Sequence, residues 1–209
     1  MPRAPTPTRP ADQPQQPDRP YDENHLFRLL RSSHIFSSTV RDVLELKLLR
    51  EITTLPLTLQ QVQLIRFMAL QGRHRVGDVA GYLGVSTAAA SKNIEKLRRF
   101  GLLLRRRSEW DRRAKLLSVS PKGVRLIRRY EEHKNARLAR TLQEFDTAEI
   151  DQLSGLLERF AVSLLETEPD TNGACLRCGG YLDDSCPVGH LRDGCPYLKG
   201  REARLGGAQ

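Results

Sequence analysis

Long apolar runs are missing from this 209-residue chain. Nowhere do the ~18 consecutive apolar residues of a membrane span occur, so no transmembrane helix is expected. The amino-terminal stretch has no apolar signal core, which argues against secretion and leaves a cytoplasmic location as the expectation. Cysteine is absent until Cys175, and the four cysteines then crowd into one short stretch. In a reducing cytosol such thiols are metal ligands or redox groups rather than permanent disulfides. No Gly-rich nucleotide-binding loop, nucleophile motif or paired-carboxylate arrangement stands out, so an enzyme is not expected. Negative charge is in deficit: 34 Lys and Arg stand against 25 Asp and Glu, for a formal net charge of +9.

The excess of positive charge has an address. Between Lys92 and Arg140 there are 17 Lys and Arg against 5 Asp and Glu, a local net of +12 that leaves −3 for the remainder. The basicity therefore belongs to a folded segment and not to a tail, and a folded basic segment fits a polyanion. Basic membrane-surface helices share the sign but need a large bulky apolar face. This segment instead breaks into strand-like and helical pieces.

The organisation is legible in turn. Residues 1–21 hold 7 of the 12 prolines among Gln, Asp, Arg and Thr, a composition expected to stay disordered. Residues 22–166 form the main domain, 167–173 a linker, 174–198 a Cys-bearing segment and 199–209 a frayed tail. A first helical stretch from about Asp22 to Ile52 carries Leu26, Leu29, Leu30, Val40, Val43, Leu44, Leu46, Leu48 and Leu49, with the Ser32–Ser33 and Ser37–Ser38 pairs as bending points. Thr58 is placed to cap a second helix through Gln71, stopped by Gly72. Val76 to Leu83 reads as a short helix, Gly84-Val85-Ser86 as a tight turn, and Thr87 to Phe100 as a fourth helix capped by Ser86.

That fourth helix presents Ala90, Ile94 and Leu97 on one side and Thr87, Ala88, Ser91, Lys92 and Lys96 on the other. After Gly101 the period changes. Leu102–Arg107 and Ala114–Ser120 read as two strands around a Ser108–Arg113 turn. Pro121 opens a helix to Thr141. A last helix, about Thr147 to Glu166, lines up Ile150, Leu153, Leu156, Leu157, Phe160, Leu164 and Leu165.

Helix, tight turn, helix, basic hairpin is an order of elements suited to reading DNA. A recognition helix needs one apolar face as an anchor. Its exposed face must be small and polar near its start, so that the backbone can approach base edges in the major groove. Thr87, Ala88, Ala89 and Ser91 are small, and Lys92 and Lys96 reach for phosphates or guanine edges. The hairpin tip carries Arg112 and Arg113, suited to the strongly negative minor groove. Asp111 beside them is suited to orienting an arginine by a charge-assisted bond.

The stretch from Leu83 through Ser86-Thr-Ala-Ala-Ala-Ser-Lys92 to Leu102 resembles the helix-turn-helix of MarR-type regulators. Asp111-Arg-Arg-Ala-Lys-Leu-Leu-Ser-Val-Ser-Pro-Lys-Gly123 is similar to the same family's wing and the start of its next helix. The resemblance spans about residues 22–166 and does not reach the cysteine segment. It implies a mainly α fold with a small β-hairpin wing, a winged helix-turn-helix dimerising through its terminal helices. It implies a homodimer on a pseudo-palindromic duplex operator and repression or activation controlled by a ligand or oxidant. By position, Ser86, Thr87, Ala88, Ser91 and Lys92 match the family's recognition-helix contacts, and Asp111 and Arg113 its wing signature. Lys92 stands where arginine is frequent in the family, and the two cations read bases differently.

The cysteines are spaced Cys175-x2-Cys178-x7-Cys186-x8-Cys195. The segment has too little apolar surface to fold alone, and a metal joined to four thiolates would organise it. Iron–sulfur chemistry accepts scattered thiolates and is often flanked by Cys-Pro steps such as Cys186-Pro187 and Cys195-Pro196. Zinc, with His190 as an optional ligand, and metal-free redox thiols are the alternatives. The functional expectation is a regulator, more a repressor than an activator, controlled by this site. The alternative is one responding to a small-molecule effector, with a purely structural zinc.

Overall fold

The computed structural model describes residues 21–71, 74–107 and 115–167, apart from the side chains of residues 70, 71, 106, 107 and 115. They divide into two units between Arg41 and Asp42. Asp22 starts α1 (Glu23–Thr39) as its N-cap, accepting the His25 backbone N–H at 2.8 Å, with the His25 Nδ1 2.6 Å from the same carboxylate. α1 buries none of its residues: Phe27 and Ile35 stay 63% and 61% exposed.

Val40–Lys47 is a π-helical segment, which leads into α2 (Leu48–Ile52). The sequence placed the disturbance of the first helical stretch at its serine pairs. It falls instead in the segment immediately after Ser37–Ser38. In the second unit, α3 (Leu59–Gln71), α4 (Val76–Leu83) and α5 (Thr87–Arg99) are followed by β1 (Leu103–Arg107) and β2 (Lys115–Val119). Then come α6 (Pro121–Thr141), a single 3₁₀ turn and α7 (Thr147–Glu166).

The core collects around α3, whose Leu64, Ile65, Phe67 and Met68 are all but inaccessible to solvent. The Phe67 ring lies parallel to Tyr82 of α4 at 4.1 Å and tilted against His74 at 4.6 Å. Leu48, Leu49 and Ile52, then Leu97, Leu102 and Leu117, and Ile127 and Tyr130 of α6 are buried in the same cluster. Burying each such side chain stabilises the fold by about 1.5–3 kcal/mol, so this cluster is what holds α4, α5 and the hairpin strands in place.

The hairpin is antiparallel and in register from Leu103 opposite Val119 to Arg107 opposite Lys115. A third backbone segment joins it. His74 exchanges both main-chain hydrogen bonds with Leu117, at 2.9 and 2.8 Å. One residue makes no periodic pattern, which is why the sequence did not reveal this bridge. α6 grips the earlier helical stretch through Arg137, which donates to the Val43 carbonyl and to Glu51 at 2.7 Å. Next to it, buried Lys134 sits 2.8 Å from Glu131, itself 3.5 Å from Arg66.

Candidate nucleic-acid interface

Gly84 makes the turn before α5 possible. Its φ of 62° is the left-handed conformation that a Cβ disfavours. The chain then extends to Ser86, whose hydroxyl accepts the Ala89 backbone N–H at 3.3 Å. This satisfies one of the donors that a helix start leaves unpaired. Ala90, Ile94 and Leu97 are buried, as their spacing required. Thr87, Ala88, Ser91 and Lys92 are exposed, and so are Glu95, Arg98 and Arg99. The apolar stripe thus anchors α5 while a small, polar first turn faces solvent.

Lys96 departs from the simple two-faced reading. It is half-buried on the flank of α5, its amine 5.7 Å from the Phe100 ring centre, and Ala89 is half-buried on the same flank. Glu95 is held by Arg98 at 2.7 Å. The far end of the helix is fastened as firmly as the start. Gly101 turns out with φ of 71°, Lys122 donates to the Phe100 carbonyl at 2.8 Å, and Ser120 donates to the Gly101 carbonyl at 2.6 Å.

Two groups of expected site residues lie outside the described residues: Asp111, Arg112 and Arg113 of the hairpin tip, and Cys175, Cys178, Cys186 and Cys195. Among the described residues no cluster of His, Cys, Asp or Glu is arranged to hold a metal ion. Arg105 in β1 is exposed.

A pair that the sequence reading passed over joins α3 to α5. Gln61 is 5% exposed, and its amide donates to Asn93 Oδ1 at 3.1 Å across 32 residues of chain. The Gln61 side-chain oxygen accepts the Thr58 N–H while the Thr58 hydroxyl accepts the Gln61 N–H, each at 3.2 Å. This reciprocal capping box is spelled Thr-x-x-Gln in the sequence, and that was the available signal. Its reach to Asn93 was not. Gln61, Ala89, Lys92, Asn93, Glu95, Lys96 and Arg99 line an open hollow along this flank of α5.

The fold is the MarR-type winged helix: mainly helical, with a two-stranded hairpin after the helix-turn-helix. A model of the MarR family matches residues 55–114, which span α3, the helix-turn-helix and the first strand. Solved structures agree over most of the chain. A MarR family protein from Bacillus stearothermophilus superposes with a TM-score of 0.57 at 20% identity, covering 69% of this chain and 99% of that one. FabT from Streptococcus pneumoniae in complex with DNA gives 0.54 at 18% identity, covering 70% and 100%. The organohalide-sensing transcriptional regulator RdhR, in its 2,4-dichlorophenol-bound form, gives 0.53 at 16% identity, covering 76% and 95%. No curated protein matches the chain at a significant level. The matched family is one of transcription regulators and not of enzymes. Among the described residues no helix is long and apolar enough to cross a membrane.

Proposed function

We propose that this chain is a DNA-binding transcriptional regulator, a repressor that occupies a pseudo-palindromic operator as a homodimer. In this reading α5 enters the major groove by its first turn. Ser86, Thr87, Ala88, Ala89 and Ser91 approach base edges, and Lys92 and Lys96 engage phosphates or guanines. Arg112 and Arg113, oriented by Asp111, take the flanking minor groove. The observation that carries the proposal is α5 itself: anchored by Ala90, Ile94 and Leu97, capped by Ser86, and open along Thr87, Ala88, Ser91 and Lys92. The FabT structure, with the same fold, contains DNA.

Dimerisation is supported by α7, where Leu153, Leu156, Leu157 and Leu164 are exposed and Leu165 is the one buried residue. An apolar helix face of this length in water calls for a partner, and a second copy gives the two-fold symmetry of a palindromic site.

The test of DNA reading is binding to an operator selected from random duplexes, followed by anisotropy across a salt series. Wild-type affinity should fall steeply with salt. Lys92→Ala, Arg112→Ala and Arg113→Ala should each flatten the log–log slope by about one. Unchanged slopes in all three remove these residues from the interface.

The signal is proposed to arrive at Cys175, Cys178, Cys186 and Cys195 as bound metal, an iron–sulfur cluster in preference to zinc, because their spacing offers only one close pair. Protein purified without oxygen should then be brown, with about four irons per chain for a cubane cluster. A colourless product with zinc makes the site structural. In that case, a phenol that releases operator from a chain lacking residues 174–209 assigns the signal to the helical domain.

A further inference from the structure

We propose that Asn93 is a phosphate contact, its amide turned donor-outward by a relay that begins in the first turn of α3, with Gln61 as the positioning residue. The proposal rests on the DNA-reading function above and adds to it a residue on the flank of α5.

The argument runs through the two faces of a carboxamide, one that only accepts and one that only donates. The Thr58 backbone N–H is a donor, so the Gln61 atom that meets it is the oxygen. The other end of the Gln61 amide, its NH2, therefore points at Asn93 and requires the Asn93 oxygen there. The Asn93 NH2 is then turned away from α3. Its single contact among the described residues is the Ala89 carbonyl at 3.5 Å, the limit of a hydrogen bond. One N–H is left for an outside acceptor.

The surroundings say which acceptor. Lys92, Lys96 and Arg99 share the hollow with Asn93, and Glu95 is the one acid among its lining residues. A neutral donor among three cations suits an anionic oxygen. Asn93 sits between the buried stripe and the outermost line of α5, half-buried, so it addresses the edge of a groove rather than its floor. A phosphodiester oxygen satisfies both conditions.

Near-complete burial of Gln61 makes the relay stiff: its amide cannot flip without losing a bond at each end. Gln61→Glu separates the relay from the cap. The carboxylate still accepts the Thr58 N–H, but it cannot donate, and Asn93 must rotate its own NH2 inward to meet it.

A phosphate contact is independent of sequence, so the probe is a fluorescein-labelled duplex of about 30 base pairs and mixed sequence. Asn93→Ala, Gln61→Glu and the double variant are compared with wild type by anisotropy, each checked for an intact thermal transition. Asn93→Ala and Gln61→Glu are each expected to weaken binding about tenfold. The loss from Gln61→Glu should shrink to a small residue in the Asn93→Ala background, because the added charge alone remains. Equal losses in both backgrounds overturn the relay. As a measurement free of substitutions, the side-chain NH2 resonances of Asn93 in ¹⁵N-labelled protein should shift when the duplex is added. Unmoved resonances in a protein that binds the duplex overturn the contact while leaving the DNA-reading function standing. A wild-type protein without salt-dependent duplex binding removes both.

Discussion

Glu45 shows what a single side chain costs and contributes inside this fold. Burial in the π-helical segment raises its carboxyl above the ordinary carboxylate range, and nearby Glu131 pushes the same way. Lys134 and Arg66 pull it back without cancelling the shift. The folded protein therefore holds this proton more tightly than the unfolded chain does. The contribution is fully favourable below the unfolded pKa and is lost as pH rises through the raised folded value. Glu45→Gln keeps the shape and removes the titration. The melting temperature of the variant minus that of the parent should become more positive from about pH 4 to about pH 7. A difference that is flat or falls with pH contradicts this account. Charge pairing of this kind was invisible in the sequence, because Glu45, Arg66, Glu131 and Lys134 meet only once three helices have packed. Ser86, Thr58 and the stripe Ala90, Ile94, Leu97 were readable for the opposite reason: their roles depend on neighbours within about one turn.

At the level of elements, the junction of β1 with α6 is the tightest place described. A Cβ built on Gly123 would stand 2.5 Å from the Leu102 carbonyl oxygen and 2.7 Å from Val119 Cγ2. Backbone cannot yield as a side-chain tip does, so Gly123→Ala must move α6 away from the strands. The expected loss is about 1–3 kcal/mol, the usual range for overpacking, read as a lower midpoint in urea. A midpoint equal to that of the parent means that α6 relaxes freely. Helix and strand boundaries here were largely legible, since Pro121, Gly101 and the change from a 3.6 to a 2 period are local signals. The His74 bridge to Leu117 was not, because nothing local marks one extended residue. The same limit hid the π-helical pitch of Val40–Lys47, where the apolar recurrence of an ordinary helix continues.

For the molecule as a whole, the notable surface is the exposed apolar side of α7. Its periodic leucines line up one apolar side, as the sequence reading had it, and Leu156 and Leu164 remain 53% and 54% exposed. Periodicity tells which face is apolar and not whose surface covers it. Replacing both by aspartate should yield a species of single-chain mass in sedimentation at about micromolar concentration, with the thermal transition of the winged-helix unit retained. A parent that already sediments as one chain, or a variant that stays paired, refutes the assignment. The fastening of α6 to the end of α5 then has a mechanical meaning. Lys122 and Ser120 clasp the carbonyls of Phe100 and Gly101 just past the end of α5, and behind them α6 is a rod of 21 residues, about 32 Å long at the ordinary helical rise. A tilt imposed at its distant end would reach α5 as a lever delivers it, by rotation about this clamped joint.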